Sequence, residues 1–126
     1  MNPTVLIAMW GRKKLVEANI RLLSLQKCQI VVVASIQEDF EFLRSLNVPH
    51  LQIVPAPNNP LGRKWQSGVD QCRILSANPL IICGSDDFLS QNFIEKACFL
   101  AKNNDFIFFD HWFIHEPATG KDYFLR

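Results

Sequence analysis

Net charge is almost absent from this 126-residue chain: 13 Lys and Arg stand against 12 Asp and Glu, a formal +1. Without a basic excess there is no global attraction to nucleic acid or to an anionic membrane. No local stripe takes its place, because Arg12-Lys13-Lys14 is the only run of three basic residues and it reads as the solvated start of a helix. Nucleic acid is therefore not expected as a partner. Closely spaced cysteines are missing too. Cys28, Cys72, Cys83 and Cys98 lie 44, 11 and 15 residues apart, which fits neither a zinc knuckle nor a redox dithiol, so they read as buried free thiols of a reducing compartment. Long apolar runs are lacking as well. The opening MNPTVLIAMWGRKK carries its charges after a short apolar run, whereas a signal peptide carries them before it, and the run is far too short to cross a bilayer. No transmembrane segment is expected, and the expected location is cytoplasmic. With no repeats, low-complexity tracts or linkers, residues 1–126 form one expected domain, long enough to bury a core without disulfides or a structural metal.

What is present alternates. Val5 to Met9 is a short apolar run, expected as a strand, and Lys13 to Gln26 places Leu15, Val16, Ile20, Leu22 and Leu23 at helical spacing. Gln29 to Ser35 contains the β-branched run of a strand buried on both faces. Glu38 to Leu46 carries Phe40, Leu43 and Leu46 on one helical stripe, which Asn47-Val48-Pro49 ends. Leu51 to Val54 is a third strand, and the breaker-rich loop Pro55 to Pro60 follows. Leu61, Trp65, Val69 and Cys72 then recur as an amphipathic helix with Pro60 near its first turn. Leu80 to Cys83 reads as a fourth, buried strand, and Ser90 as the N-cap of a helix carrying Phe93, Ile94, Ala97, Leu100 and Ala101. FIFFDHWFIHE, the turn EPATGK and DYFLR read as a β-hairpin. Strand–helix alternation of this kind implies an α/β fold with a mostly parallel sheet and helices on both faces. Its ligand site is expected at the carboxyl ends of the strands, where the strand order switches.

Gly84-Ser85-Asp86-Asp87 falls at that edge. A single Asp after a strand commonly caps a helix or nucleates a turn. Two within roughly 6 Å repel and raise one another's pKa unless a cation lies between them. A hard divalent ion ligated by one or two carboxylates, with phosphate and water completing its shell, removes that cost. Gly68, inside an otherwise good helix at a cost of roughly 1 kcal/mol, points to a close approach to its backbone, by a neighbouring strand or by a ligand. Lys64, one turn before it, is expected on the same face, turned away from Trp65 and Val69.

The stretch IICGSDDFLS resembles the DXD-type segment of the GT-A-fold glycosyltransferases, in particular the large family-2-like group, whose fold is Rossmann-like. The resemblance implies that Asp86 and Asp87 hold Mn²⁺ or Mg²⁺ on the diphosphate of a nucleotide-sugar donor, with Ser85 beside them. Gly84 stands where that group usually has an Asp. TVLIAMWGRKKLVEANIRLL is similar to the family's first strand, nucleotide-contacting loop and first helix. By that likeness Ala8, Trp10 and Arg12 contact the donor, with Trp10 beside the base and Arg12 near the phosphates. NNPLGRKWQSGVDQCR resembles the family's helix before the metal motif, with Asn59, Gly62, Lys64 and Gly68 on matching positions and Gln66 where the family usually has Asn. Ser35 occupies the place of a base-reading Asp, and no Asp follows until Asp39, so the base is not legible.

The hairpin supplies candidates for the acceptor side in Asp110, His111 and Trp112. His111 and His115, about 13 Å apart on an extended strand, are too distant to share one ion. The family's general base lies well downstream of the metal motif, in a region largely lacking here. The apolar strand at the end of the chain invites pairing with a second copy. The expected function is glycosyl transfer from a nucleotide-diphosphate sugar. The alternative is a nucleotide-binding module of the same fold without catalysis. A nucleotidyltransferase would need a Gly-rich loop after the first strand, where AMWGRKK has one glycine. A receiver domain would need an acidic pair there.

Overall fold

In a computed structural model, which describes residues 1–110 and 112–125, strands and helices alternate as β1 (Thr4–Ala8), α1 (Lys13–Ser24), β2 (Gln29–Ala34), α2 (Gln37–Ser45), β3 (Leu51–Pro55), α3 (Leu61–Ile74), β4 (Leu80–Cys83) and α4 (Phe93–Ala101). A hairpin of β5 (Trp112–Glu116) and β6 (Lys121–Leu125) follows. The first four strands form an all-parallel sheet in the order β3-β2-β1-β4. β5 and β6 form a separate antiparallel pair. The chain therefore builds outward from β1 to β2 and β3, then crosses to the other side of β1 for β4. The switch point lies between β1 and β4, where Ile7 is registered against Cys83.

Alternation along the strands divides the core in two. Val5, Ile7 and Met9 join Ile30, Val32 and Ala34 on the face covered by α1, α2 and α4 through Val16, Ile20, Leu23, Leu43, Ile94 and Ala97. Leu6, Val31 and Val33 face α3, which meets them with Cys72 and, from its flanks, Trp65 and Val69. Helices thus cover both faces, as the alternation implies.

The helical stripes differ from expectation in an instructive way. In α1 the buried set is Val16, Asn19, Ile20 and Leu23, while Leu15 and Leu22 are exposed. In α2, Asp39 is buried with Leu43. In α3 the buried stripe is Lys64, Gly68 and Cys72, and Leu61 is exposed. Lys64 and Gly68 do share a face, but it is the face turned to the sheet. A Cβ on Gly68 would lie 2.4 Å from Leu6 Cδ1 and 2.7 Å from Val33 Cγ2, so the neighbouring strands are what approach this glycine. β4 is buried on one face only, through Ile81 and Cys83, while Leu80 and Ile82 are exposed. Ser90 does not cap α4. Its carbonyl accepts the Phe93 N–H, and Asn92 holds the N-cap position.

Candidate functional site

Two loops meet at the switch point. The first, Met9 to Arg12, leaves β1 and enters α1. Gly11 (φ 63°) and Arg12 (φ 55°) both adopt the left-handed conformation. Glycine takes it freely, but for Arg12 it costs on the order of 1–2 kcal/mol. Such strain persists only when surrounding contacts enforce it. Those contacts are visible. Asp39, fully buried, accepts the Gly11 N–H on Oδ2 at 2.9 Å. Lys64, 1 % exposed, donates from Nζ to the Met9 carbonyl and to Asn58 Oδ1, the latter at 2.9 Å. Trp10, between these two anchors, is 55 % exposed, and Lys64 Nζ lies 5.7 Å from its ring centroid. Burial lowers the Lys64 pKa from its ordinary value, and the charge of Asp39 opposes that shift.

The second loop, Gly84 to Asp87, leaves β4. It closes as a turn in which the Asp87 N–H donates to the Gly84 carbonyl at 3.2 Å and Asp87 Oδ2 accepts the Gly84 N–H at 3.1 Å. The turn is tied to α1 by Asn19, whose Nδ2 donates to the Asp87 carbonyl at 2.9 Å, and to β4 by the Cys83 thiol, 3.1 Å from the same oxygen. Gly84 has a local reason to be glycine, since a Cβ there would lie 2.5 Å from Asp87 Oδ2. Asp86 points outward, and its Oδ2 accepts from Arg12 Nη1 at 2.9 Å. That ion pair joins the two loops across the switch point, with both side chains about half exposed, 57 % for Arg12 and 51 % for Asp86.

The residues expected at the site divide accordingly. Ala8, Trp10 and Arg12 lie at the end of β1 and in its loop, and Ser85, Asp86 and Asp87 lie beside them at the end of β4. Ser35 follows β2 at the same edge, its Oγ buried without a hydrogen-bond partner among the described residues. Asn59 and Gly62 lie around the start of α3, with nothing within 4 Å of the Gly62 Cβ position. Lys64 sits beneath the β1–α1 loop, and Gly68 packs on Leu6 and Val33. Asp110 is exposed, Trp112 opens β5 in the separate hairpin, and His111 lies outside the described residues. Phe109 packs on Phe93 of α4 at 4.8 Å between ring centroids.

Three participants escape a reading based on apolar spacing alone, namely Asn19, Asp39 and Asn58. The first two do carry a signal: each is a polar residue standing where a helical stripe runs through the core.

An open groove of about 470 Å³ runs beside the first loop, lined by Gly11, Arg12, Lys13, Ile36 and Asp39 among others. A second groove, of about 520 Å³, is lined by Asn92, Glu95, Lys96, Phe99 and Leu100 at α4, and no residue of either loop lines it. Among the described residues, no three His, Cys, Asp or Glu side chains gather closely enough to hold an ion by themselves. Asp86 and Asp87 each commit one oxygen internally, and Oδ1 of each has no hydrogen-bond partner among the described residues. A divalent ion that takes one or two protein carboxylates and completes its shell with phosphate and water fits that donor set. The cysteines do not compete for it. All four are free, and burial pushes the thiols of Cys28, Cys72 and Cys83 up to about 11. No helix among the described residues is long and apolar enough to cross a membrane. No protein-family model matches the chain, and no curated protein matches it in sequence.

Proposed function

We propose that the chain binds a nucleotide-diphosphate sugar at the β1/β4 edge as the donor site of a GT-A-type glycosyltransferase. The observation that carries this reading is the ion pair of Arg12 with Asp86 across the switch point, with Asp87 next to it in the same turn and one oxygen of each Asp left over among the described residues. Asp86 and Asp87 hold Mn²⁺ or Mg²⁺, which would offset the charge that a diphosphate gains as it leaves. Arg12, released from Asp86, and the N-terminus of α1 face the phosphates. The α1 terminus suits an anion, with no acidic residue in its first turn and no side chain capping it. Trp10 offers its exposed ring to the base.

Transfer then requires an acceptor hydroxyl to attack the anomeric carbon. The new C–O bond forms as the bond to the diphosphate oxygen breaks, the electron pair departs with the diphosphate, and a base takes the hydroxyl proton. Asp110 and Trp112 are assigned to the acceptor side on sequence grounds only. Binding of the nucleotide without transfer is the second outcome of the same test.

The test is titration calorimetry of UDP, GDP, CDP and ADP with and without Mn²⁺ on the wild type, Asp86→Asn and Asp87→Asn. The amide introduced by Asp87→Asn keeps an oxygen for the Gly84 N–H, so the turn survives while the charge is lost. The expected result is metal-dependent binding that weakens at least tenfold in Asp87→Asn, about 1.4 kcal/mol, and less in Asp86→Asn. Unchanged binding in both variants sinks the metal site. Product formation from a nucleotide-sugar then separates transferase from binding module.

A further inference from the structure

We infer that Asp39 and Lys64 are positioning residues for Trp10, gripping the backbone on either side of it so that its exposed ring is held as a fixed stacking face. This rests on the reading that a nucleotide base lies beside that ring, and it adds how the base-side surface is built.

The geometry has three parts. Asp39 comes up from α2 and takes the Gly11 N–H, and Lys64 comes up from α3 on the opposite face of the sheet and donates to the Met9 carbonyl. The residue between those anchors is Trp10, 55 % exposed, while its anchors are 0 % and 1 % exposed. The Lys64 ammonium lies 5.7 Å from the indole centroid, within the range of a cation–π contact. Ring and backbone are thus held by the same cation.

Stability alone is a poor reason for this arrangement. Buried charges are costly to desolvate, and apolar residues of similar volume are often as good or better for the fold. Lys64 occupies a stripe whose other members, Gly68 and Cys72, pack on the sheet without charge. Asp39 keeps Oδ1 buried and without a partner among the described residues, a further cost. What the two charges do supply is a specified loop. Arg12 is left-handed, a conformation that a free loop would leave, and the bonds to Met9 and Gly11 bracket Trp10 just before it. The backbone around Trp10 is thus bonded from both faces of the sheet, to α2 through Asp39 and to α3 through Lys64.

The variants are Lys64→Met, which keeps most of the buried volume but removes the charge and both hydrogen bonds, and Asp39→Asn, which keeps an acceptor for Gly11. Two readouts separate positioning from simple structural support. The first is the affinity ratio between the preferred nucleoside diphosphate (of UDP, GDP, CDP and ADP) and inorganic pyrophosphate, each with Mn²⁺. The wild type is expected to favour the nucleotide at least tenfold. Lys64→Met is expected to bring the ratio within about threefold by losing more nucleotide affinity than pyrophosphate affinity, the same change is expected of Trp10→Ala, and Asp39→Asn is expected to retain the wild-type ratio. The second readout is the heteronuclear NOE of the Trp10 indole N–H in the wild type without ligand, expected to match that of the rigid backbone.

A folded Lys64→Met protein with the wild-type ratio overturns the positioning role. So does a mobile Trp10 indole in the wild type, which needs no variant to fold. Failure of the wild type to bind any nucleotide, with a rigid indole that loosens in Lys64→Met, overturns the nucleotide reading and leaves the positioning of Trp10 standing.

Discussion

The β1–α1 loop and the β4–α4 turn stand side by side at one edge of the sheet and are held in opposite ways. The loop is held from below by two ionisable side chains, Asp39 and Lys64, both buried and both bonded to its backbone. The turn is held by a neutral amide from Asn19 and by its own Asp87 carboxylate, and its charges face outward. A charge that is buried and turned to the backbone can fix geometry but cannot greet a ligand. A half-exposed carboxylate with an oxygen to spare can do the reverse. The loop thus supplies shape and the turn supplies charge, and Arg12 bridges them.

The comparison is broken most severely at Lys64. In Lys64→Ala the Met9 carbonyl and Asn58 lose their donor, Asp39 loses its nearby cation, and a cavity opens between α3 and the sheet. Removing one member of a buried charged network and leaving a void are each large effects, and about 3–5 kcal/mol is the expected loss. Urea unfolding measures it. A loss below about 1 kcal/mol would mean that the loop is held by something other than the lysine beneath it. The larger penalty for Lys64→Ala than for Lys64→Met separates the void from the charge.

The turn answers to a smaller change. Gly84→Ala puts a Cβ 2.5 Å from Asp87 Oδ2, so the carboxylate must swing away and release the Gly84 N–H. The backbone itself is under no strain there, since Gly84 does not adopt a positive φ. One exposed hydrogen bond is at stake, and about 1 kcal/mol is the expected cost in the same unfolding measurement. The Asn19 and Cys83 contacts to the Asp87 carbonyl keep the chain path in place. A loss as large as that of Lys64→Ala would erase the distinction between loop and turn.

The same distinction marks what the sequence made legible. Strand–helix alternation was readable because each strand is a short apolar run and each helix repeats its apolar residues, so the parallel sheet and the placement of Asp86 and Asp87 at its edge followed. The hairpin followed from EPATGK between two β-rich stretches, although its first strand is Trp112–Glu116 and residues 106–110, read with it, form no strand. The supports beneath the loops did not follow, because the rule used to find a core looks for apolar side chains. Lys64 precedes Gly68 and Cys72 at four-residue steps, Asp39 precedes Leu43, and Asn19 falls between Val16 and Ile20. In each case the helical period runs unbroken through a polar residue. A polar group on such a stripe must find a partner inside the protein, and the period tells which residues are committed inward. What the period cannot give is the partner, here a backbone group some distance away in sequence. That is why Lys64, by sequence alone, resembles a solvated or phosphate-binding lysine.

The smallest effect belongs to the charges at the mouth of the loop. Glu38 is the sequence neighbour of Asp39 but faces solvent, where Lys13 at the start of α1 hydrogen-bonds it and forms an ion pair with it. The Lys13 hydrogen bond, and then its charge, hold the Glu38 carboxyl below its ordinary value of 4.5. A folded pKa below the unfolded one means that the unfolded chain binds the extra proton first as pH falls. The contribution to stability is therefore present above the ordinary glutamate range and is lost as pH falls through the lower, folded value. In low salt, the unfolding midpoint of the wild type should fall slightly more steeply between about pH 5 and pH 3 than that of Glu38→Gln, roughly the range over which a glutamate titrates. At about 1 M NaCl, where the screening length is about 3 Å, the two profiles should coincide. Exposed pairs contribute little, so the difference should be small beside that of Lys64→Ala. Identical profiles in low salt would show that Lys13 and Glu38 add nothing to the loop. A difference that survives high salt would place Glu38 among the supports of the loop, with Asp39, and would redraw the line between the charges that hold this edge and those that only surround it.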